Sequence, residues 1–362
     1  MNLAWKPNWN ESRQHHLDWW NHQGLVLNMW GAPLARQPHE PVVRPPVSAL
    51  PDGFYADADF RSQHCHWDLS RKLFAGDLLP LADTNIGPGS LALFLGAKAG
   101  ITPQTVWYHP IMEDVEEPET LPPLRFDPQN AWWQITEQTL RKSVALGRGK
   151  YMTGLPDLVE NIDILASLRG TQTVLMDCLV RPEWVKEKIH EINQVWFEAY
   201  DRLYDIVKLE DGSSAFWAFY IWGPGRTAKV QCDLGAMISP EMFRDLVVPA
   251  LTEQCEWLDH SLFHLDGSQC MGHLDALLEI EALDAIEWTP EPTVPSGGCL
   301  HWCDLYRRIL KAGKSVCLIG VKREEVLPML DAIGGKGVSI LTTFETEEQA
   351  EELYQKVAPY RK

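Results

Sequence analysis

Short apolar segments alternate with amphipathic helical patterns along almost the whole chain. Eight of these segments have the length and composition of buried strands: residues 24–29, 77–82, 149–153, 215–220, 261–265, 282–288, 315–320 and 338–343. Helical patterns lie between most of them, and the longest covers residues 182–209, where apolar side chains recur at helical spacing. Strand–helix units repeated eight times predict an α/β fold, the (β/α)8 TIM barrel, with a doubly wound open sheet as the main rival.

The glycine-rich turns favour the barrel over a nucleotide-binding sheet. The motifs at 87–89 and 223–225 are both Gly-Pro-Gly, with proline where a phosphate-binding loop needs backbone N–H donors. No nucleotide cofactor is therefore expected. We predict one barrel domain over residues 24–362, an N-terminal extension over residues 1–23, and a long proline-rich loop after the first strand.

Polar side chains end the fifth and sixth predicted strands. Side chains two apart on a strand share a face, so His264 and Asp266 are expected to point the same way. Glu287 ends the next strand, and the carboxyl ends of barrel strands meet at the catalytic face. One imidazole and two carboxylates suit zinc, manganese or iron, so we predict that these three residues bind a divalent metal. The alternative is a hydrogen-bonded pair in which Asp266 orients His264 as a general acid or base.

The same reasoning gives a wider set of site residues at the ends of other strands. Asp233, after the fourth predicted strand, is assigned to catalysis together with His264 and Asp266. Arg226 offers a guanidinium that can hold a substrate carboxylate through two hydrogen bonds, although a surface position is the alternative. The predicted substrate-binding residues are Asn28, Trp30, Asp83, Tyr220, Trp222, Arg226 and Trp288.

Charge and cysteine content exclude several classes of protein and partner. The formal net charge is −18, and an acidic surface repels the phosphates of nucleic acids. Runs of apolar residues are too short for a membrane span, and the N-terminus lacks the pattern of a signal peptide. Eight irregularly spaced cysteines then indicate reduced thiols in a cytoplasmic protein. The sixteen tryptophans either fill the core or line a pocket for a flat or sugar-like ligand.

Several motifs in the second half of the chain form a recognisable series. Residues 238–243 are Ile-Ser-Pro-Glu-Met-Phe, residues 263–267 are Phe-His-Leu-Asp-Gly, and residues 273–278 are His-Leu-Asp-Ala-Leu-Leu. Upstream, residues 155–170 precede the Arg-Pro-Glu-Trp-Val motif at 181–185. Together they resemble the uroporphyrinogen decarboxylase superfamily over residues 149–357 and, more loosely, 24–100.

This resemblance implies a (β/α)8 barrel, in a superfamily of cofactor-free decarboxylases and of zinc methyltransferases that act between corrinoids and thiols. In these methyltransferases the metal ligands resemble a His-x-Cys pair on one strand, a Glu that ends the next strand and a Cys on a late strand. His264 matches the histidine and Glu287 the glutamate, whereas Asp266 replaces the first cysteine. The late cysteine falls near residues 342–343, with Cys317 as a spatial substitute. Without the two thiolates, a harder metal or an oxygen-containing substrate is expected instead of thiol activation.

The resemblance also argues against a true uroporphyrinogen decarboxylase. Members with that activity carry several arginines after the first strand, which hold the substrate carboxylates. Here residues 29–36 offer only Arg36, with Arg44 further on.

The resulting prediction is a metal-dependent enzyme of methyltransferase-like or demethylase-like activity on a small substrate. Zinc is one candidate metal, and a corrinoid protein is a candidate partner. The first alternative is a metal-free decarboxylase or lyase of a small carboxylated substrate, in which Arg226 holds the carboxylate and Asp83 or Asp233 stabilises a cationic intermediate. The second is a ligand-binding barrel without catalysis.

Overall fold

The computed structural model describes residues 3–29, 34–50, 52–102 and 106–361. Helices and strands alternate through these ranges, and the mixed α/β class is confirmed. The strands are β1 Leu25–Met29, β2 Leu81–Ala82, β3 Lys98–Ile101, β4 Val106–His109, β5 Met152–Thr153, β6 Ser214–Phe216, β7 Ile221–Gly223, β8 Thr227–Gln231, β9 His260–Asp266, β10 Ala285–Thr289, β11 Ser315–Val321 and β12 Val338–Thr342. The helices are α1 Trp9–Trp20, α2 Gly53–Ala56, α3 Ala58–Leu69, α4 Ser90–Phe94, α5 Ala131–Gly147, α6 Asn161–Arg169, α7 Thr171–Val180, α8 Pro182–Val207, α9 Pro240–Met242, α10 Val248–Trp257, α11 Leu274–Glu279, α12 Cys303–Lys311, α13 Val326–Ile333 and α14 Glu347–Val357.

A six-stranded parallel sheet forms the main layer, in the order β1-β12-β11-β10-β9-β8. The first strand pairs with the last, Leu25 opposite Val338, and the remaining neighbours follow in chain order. Residues of β12 are buried on both faces of the strand, as expected for a parallel sheet that helices cover. Five of the predicted strands therefore belong to this sheet.

Two further parallel contacts involve the short strands β2, β5 and β6. Strand β2 pairs with β5, Leu81 opposite Met152, and Leu155 forms a parallel bridge with Phe216 of β6. Strand β6 then turns back into β7 as an antiparallel pair.

The predicted fourth strand, residues 215–220, is wrong. Strand β6 ends at Phe216, and the backbone takes positive φ angles at Phe219 and Tyr220, which break an extended strand. The strand that pairs with β9 is instead β8, Thr227–Gln231. The sequence did not indicate β8, because its alternating lysine and glutamine resemble exposed positions. All five of its residues are nevertheless buried.

Helix α1 packs against the sheet through its tryptophans and supplies a polar anchor. Trp20 donates a hydrogen bond from its indole to the carbonyl of Trp222 (2.8 Å). The buried Asp77 accepts from Leu27 N (2.8 Å), from His15 of the same helix (2.7 Å) and from Arg361 (2.9 Å). These bonds join α1, β1 and the C-terminal residues.

Two helix starts follow from local sequence. The Ser239 hydroxyl accepts from Met242 N (3.2 Å), so Ser239 is the N-cap of α9. The long helix α8 starts at Pro182, the first residue of the helical pattern predicted over residues 182–209, with proline at its first position. In the described part of the chain, none of the helices has the length and apolar content to cross a membrane.

Candidate functional site

The carboxyl ends of β8, β9 and β10 bring the principal predicted residues together. His264 lies opposite Gln231 of β8 and opposite Glu287 of β10, so three polar side chains share one level of the sheet. Asp266 lies two residues further along β9, and Asp233 follows β8. Asp233, His264 and Asp266 each offer one ligand atom, and these atoms all lie within 4.8 Å of one another. The predicted convergence of His264 and Asp266 on one face is thereby confirmed.

Glu287 lies behind His264. It is fully buried, and one of its carboxylate oxygens makes a short hydrogen bond with His264 Nδ1. The other oxygen accepts from the Thr289 hydroxyl (2.7 Å). This contact fixes the ring orientation and leaves Nε2 as the nitrogen available to a ligand.

Electrostatics tie His264 and Glu287 into one unit. Burial raises the pKa of Glu287, because a charged carboxylate is poorly solvated there. Burial opposes the charged form of His264, but the neighbouring Glu287 outweighs it and raises the pKa of the imidazole. Both shifts favour a proton held between the two side chains.

Asp233 is held from two directions. Asp163 accepts from the backbone N–H groups of Asp233 (2.7 Å) and Leu234 (2.8 Å), so its carboxylate caps the short 3-10 helix that begins there. Gln231 Nε2 donates to Asp233 Oδ2 (2.8 Å). Burial, with Asp266 nearby, raises the pKa of Asp233 despite the opposing effect of His264.

A buried polar chain continues from Gln231 into the interior. The Lys229 ammonium donates to Asp157 Oδ2 (2.7 Å) and also bonds to Gln231. Glu160 accepts from the backbone of Gln231, and burial raises its pKa well above the usual range. Sequence reasoning missed these residues because it placed the fourth strand too early; the alternating Lys-Val-Gln pattern before Asp233 was the signal available.

The remaining predicted substrate-binding residues divide into two groups. Asp83 and Tyr220 line one cavity, and Asn28 lies buried at the end of β1. Trp288 is buried in β10 against Trp302. Trp30 lies outside the described residues.

Trp222 and Arg226 require a correction, because neither lies with His264. Trp222 is buried against Trp9 of α1. The carbonyl of Arg226 accepts from His260 N (3.1 Å) at the start of β9, which is the opposite end of that strand from Asp266. Its guanidinium pairs with Asp201 (3.0 Å). The error follows from the misplaced fourth strand, because both residues precede β8 instead of following it.

Cys317 does not offer a thiolate to the site. It lies opposite Glu287 in the sheet and is fully buried. Burial raises the pKa of its thiol well above the usual range, so the neutral form is held.

The donor set of Asp233, His264 and Asp266 fits a divalent metal. Two carboxylates and one imidazole are borderline-to-hard ligands, and three protein ligands leave coordination positions for a substrate. The carboxylate behind the histidine is a usual feature of such sites. The fit differs from the predicted set in one member: Asp233 belongs to the convergent group, whereas Glu287 contacts the far side of the imidazole.

Comparison with known proteins informs the fold. No family model matches the sequence, and no curated protein matches it. Among solved structures, a methyltransferase from Methanosarcina mazei superposes with a TM-score of 0.62 at 7% identity, covering 95% of this chain and 98% of that one. A B12-independent methionine synthase from a Shewanella species, in complex with selenomethionine, gives a TM-score of 0.48 at 9% identity, covering 93% and 98%. The first likeness indicates a shared fold, whereas the second is too weak to indicate one.

Proposed function

We propose that this chain is a metal-dependent enzyme that transfers or removes a methyl group on a small substrate. The observation that carries the proposal is the convergence of Asp233, His264 and Asp266 at the strand ends, with Glu287 bonded behind the histidine. The fold likeness to a methyltransferase gives the reaction class its support. Membership of the uroporphyrinogen decarboxylase superfamily, without that decarboxylase activity, is part of the proposal.

A complete eight-stranded barrel is also proposed. The six-stranded sheet ends at β1 and β8, and β2, β5 and β6 make parallel contacts in chain order between these two ends. Strands β1, β2, β5 and β8 to β12 then make eight parallel strands in the order of the sequence, as a (β/α)8 barrel requires, with β6 in a further bridge to Leu155.

The side chains of the site have separable tasks in this proposal. A bound divalent cation would polarise an oxygen or nitrogen of the substrate as a Lewis acid. Glu287 accepts from His264 Nδ1, which in the neutral imidazole leaves Nε2 unprotonated and available to a ligand. Asp163 and Gln231 fix the backbone and the carboxylate of Asp233. Two carboxylates in place of thiolates favour oxygen-containing substrates over thiols.

Metal analysis of the purified protein tests the metal site. We expect about one divalent ion per chain after loading with Zn²⁺ or Mn²⁺ and desalting, and a large loss in His264→Ala. The matched control is His301→Ala, because His301 is exposed and lies apart from the three ligands. Absence of metal in the wild type, or equal metal in wild type and His264→Ala, contradicts the proposal.

Methyl transfer is tested separately, with isotopically labelled methyl donors and the loaded protein. Product formation that chelation abolishes supports the reaction class. Release of carbon dioxide from carboxylic acids, unaffected by chelation, would favour the metal-free decarboxylase instead. A corrinoid partner and a cytoplasmic location stay predictions from the sequence.

A further inference from the structure

Helix α3 buries an arginine with incomplete hydrogen bonding. Arg61 is 5% exposed, and its Nη2 donates to the carbonyl of Asn85 (3.0 Å) and lies 3.3 Å from Asp83 Oδ1. Its Nε and Nη1 atoms are shielded from solvent and have no hydrogen-bond partner among the described residues. Buried charged donors are nearly always paired, because an unmade hydrogen bond leaves their desolvation uncompensated. An acceptor from outside the chain would complete this arginine.

The nearest side chains supply only a weak further acceptor, the Cys65 sulfur. The Cys65 thiol, one turn along α3, donates to the carbonyl of Asp83 (2.9 Å), and sulfur accepts weakly. Burial raises the pKa of Cys65 to about 11, so it stays neutral. Phe54 covers one face of the guanidinium, with its ring centre 4.1 Å from Arg61 Cζ, and offers no acceptor in the guanidinium plane.

Arg61 borders a cavity of about 280 Å³. This is near the lower limit of ligand pockets, so it suits a small molecule. The walls combine apolar and aromatic side chains, among them Phe54, Leu69, Leu78, Leu81, Trp217 and Tyr220. A flat apolar body would be accommodated between these walls, with one charged end at the arginine.

One wall of the cavity is strained and is shared with the His264 site. The segment between β6 and β7 supplies Trp217 and Tyr220 to the cavity, whereas Phe219 packs against His264 with ring centres 5.2 Å apart. Phe219 and Tyr220 both have positive φ, which non-glycine residues rarely adopt. Such backbone conformations concentrate at ligand sites, where the surroundings hold them in place.

We propose that this cavity binds a small carboxylic acid with a flat apolar body, its carboxylate accepting from one of the two unpartnered donors of Arg61, Nε or Nη1. A hydrogen bond between a guanidinium and a carboxylate is charge-assisted, and such bonds are shorter and stronger than those between neutral groups. Asp83 beside the arginine disfavours a doubly charged phosphate. Phe54 is 42% exposed, and binding requires its ring to move from the guanidinium as the ligand enters. The inference goes beyond the proposed function, since binding here requires no metal.

Calorimetric titration with benzoate, in chelator, tests the proposal, with benzamide and inorganic phosphate as comparison ligands. We expect benzoate to bind more tightly than either. Arg61→Lys keeps the charge but lacks the Nε and Nη1 donors, so benzoate affinity is expected to fall by about tenfold or more, the loss of a charge-assisted hydrogen bond. The matched control is Arg141→Lys on the exposed face of α5, which is expected to bind as the wild type does.

A second variant keeps the test decisive if Arg61→Lys folds poorly. Asp83→Asn removes the competing carboxylate and leaves the arginine intact, so benzoate affinity should rise several-fold while benzamide affinity is unchanged. Equal affinities for benzoate and benzamide, no benzoate binding to the wild type, tighter phosphate binding, or unchanged benzoate affinity in Arg61→Lys would each overturn the proposal.

Discussion

Two histidine–carboxylate pairs lie in different parts of this molecule and have opposite electrostatics. Asp77 pairs with His15 and is also bonded to Arg361 and to the backbone of Leu27. Glu287 pairs with His264, and its other protein partner is the hydroxyl of Thr289. Burial opposes ionisation of both acids, yet the bonds to Asp77 lower its pKa, whereas the pKa of Glu287 is raised.

The difference separates a pair that holds the fold from a pair prepared for chemistry. Both carboxylate oxygens of Asp77 accept hydrogen bonds, and the positive charge of Arg361 balances the negative charge of the carboxylate. Around Glu287, the adjoining side chains include two more acids, Asp233 and Asp266, and one nitrogen of His264 remains for a ligand. Perturbed groups in such surroundings are typical of functional sites.

The largest expected effect is on stability and comes from Asp77→Asn. Removing one partner of a buried ion pair leaves Arg361 without its countercharge, so we expect a loss of about 3–5 kcal/mol in the free energy of unfolding. Urea unfolding measures it. The control is Asp205→Asn, an exposed partner of Lys208, where a change below about 1 kcal/mol is expected. A small effect of Asp77→Asn would break the contrast between the two pairs.

The same pair predicts a pH dependence. Because the folded-state pKa of Asp77 is lowered, its contribution to stability is present above the unfolded pKa of about 4 and is lost as pH falls through the folded value. Unfolding free energies measured from pH 6 down to pH 2 should therefore decline less steeply in Asp77→Asn than in the wild type. If the two proteins lose stability in parallel as the pH falls, the pKa of Asp77 is not lowered in the folded state.

The next effect is on metal binding and comes from Glu287→Gln. The amide keeps the shape but no longer holds the His264 Nδ1 proton as a carboxylate does, and such a change typically weakens metal affinity 10–100-fold. Competition with a chromophoric chelator measures the affinity. Glu279→Gln, on an exposed pair with Arg244, serves as the control. A wild-type affinity in Glu287→Gln would show that the pair has no part in holding a metal.

The smallest expected effect is that of Cys317→Ala on metal content. The thiol is buried and neutral, so the metal per chain should equal that of the wild type. Elemental analysis of both proteins decides this. A clear loss would restore Cys317 as a ligand and bring the site closer to the zinc methyltransferases that the sequence resembles.

Which site residues could be predicted from the sequence depended on whether local or long-range contacts position them. His264 and Asp266 could be predicted because a regular apolar strand carries them into the polar strand end. Glu287 was found for the same reason, but its place behind the imidazole depends on the register between β9 and β10. The alternation of side chains along each strand does not specify the register between the two strands.

The features that were missed depend on long-range pairing. Lys229 and Gln231 are acceptable inside a strand only because Asp157 and Asp233 lie opposite them. Arg61 looks like an ordinary polar residue of a surface helix, in a segment with Gln63 and His64. In both cases burial is decided by segments distant along the chain, so local patterns indicate solvent exposure where the structure has an interior.

The pairing of β1 with β12 has a consequence for how the protein is made. The first strand of the sheet cannot find its neighbour until the last strand has been synthesised, since Leu25 pairs with Val338. Contacts so far apart in sequence are slow to form. During translation β1 therefore presents an open edge for most of the life of the nascent chain, and a strand edge of this kind is prone to aggregation. A lower growth temperature or additional chaperone during expression would protect the chain during that interval, before any ligand can stabilise the fold.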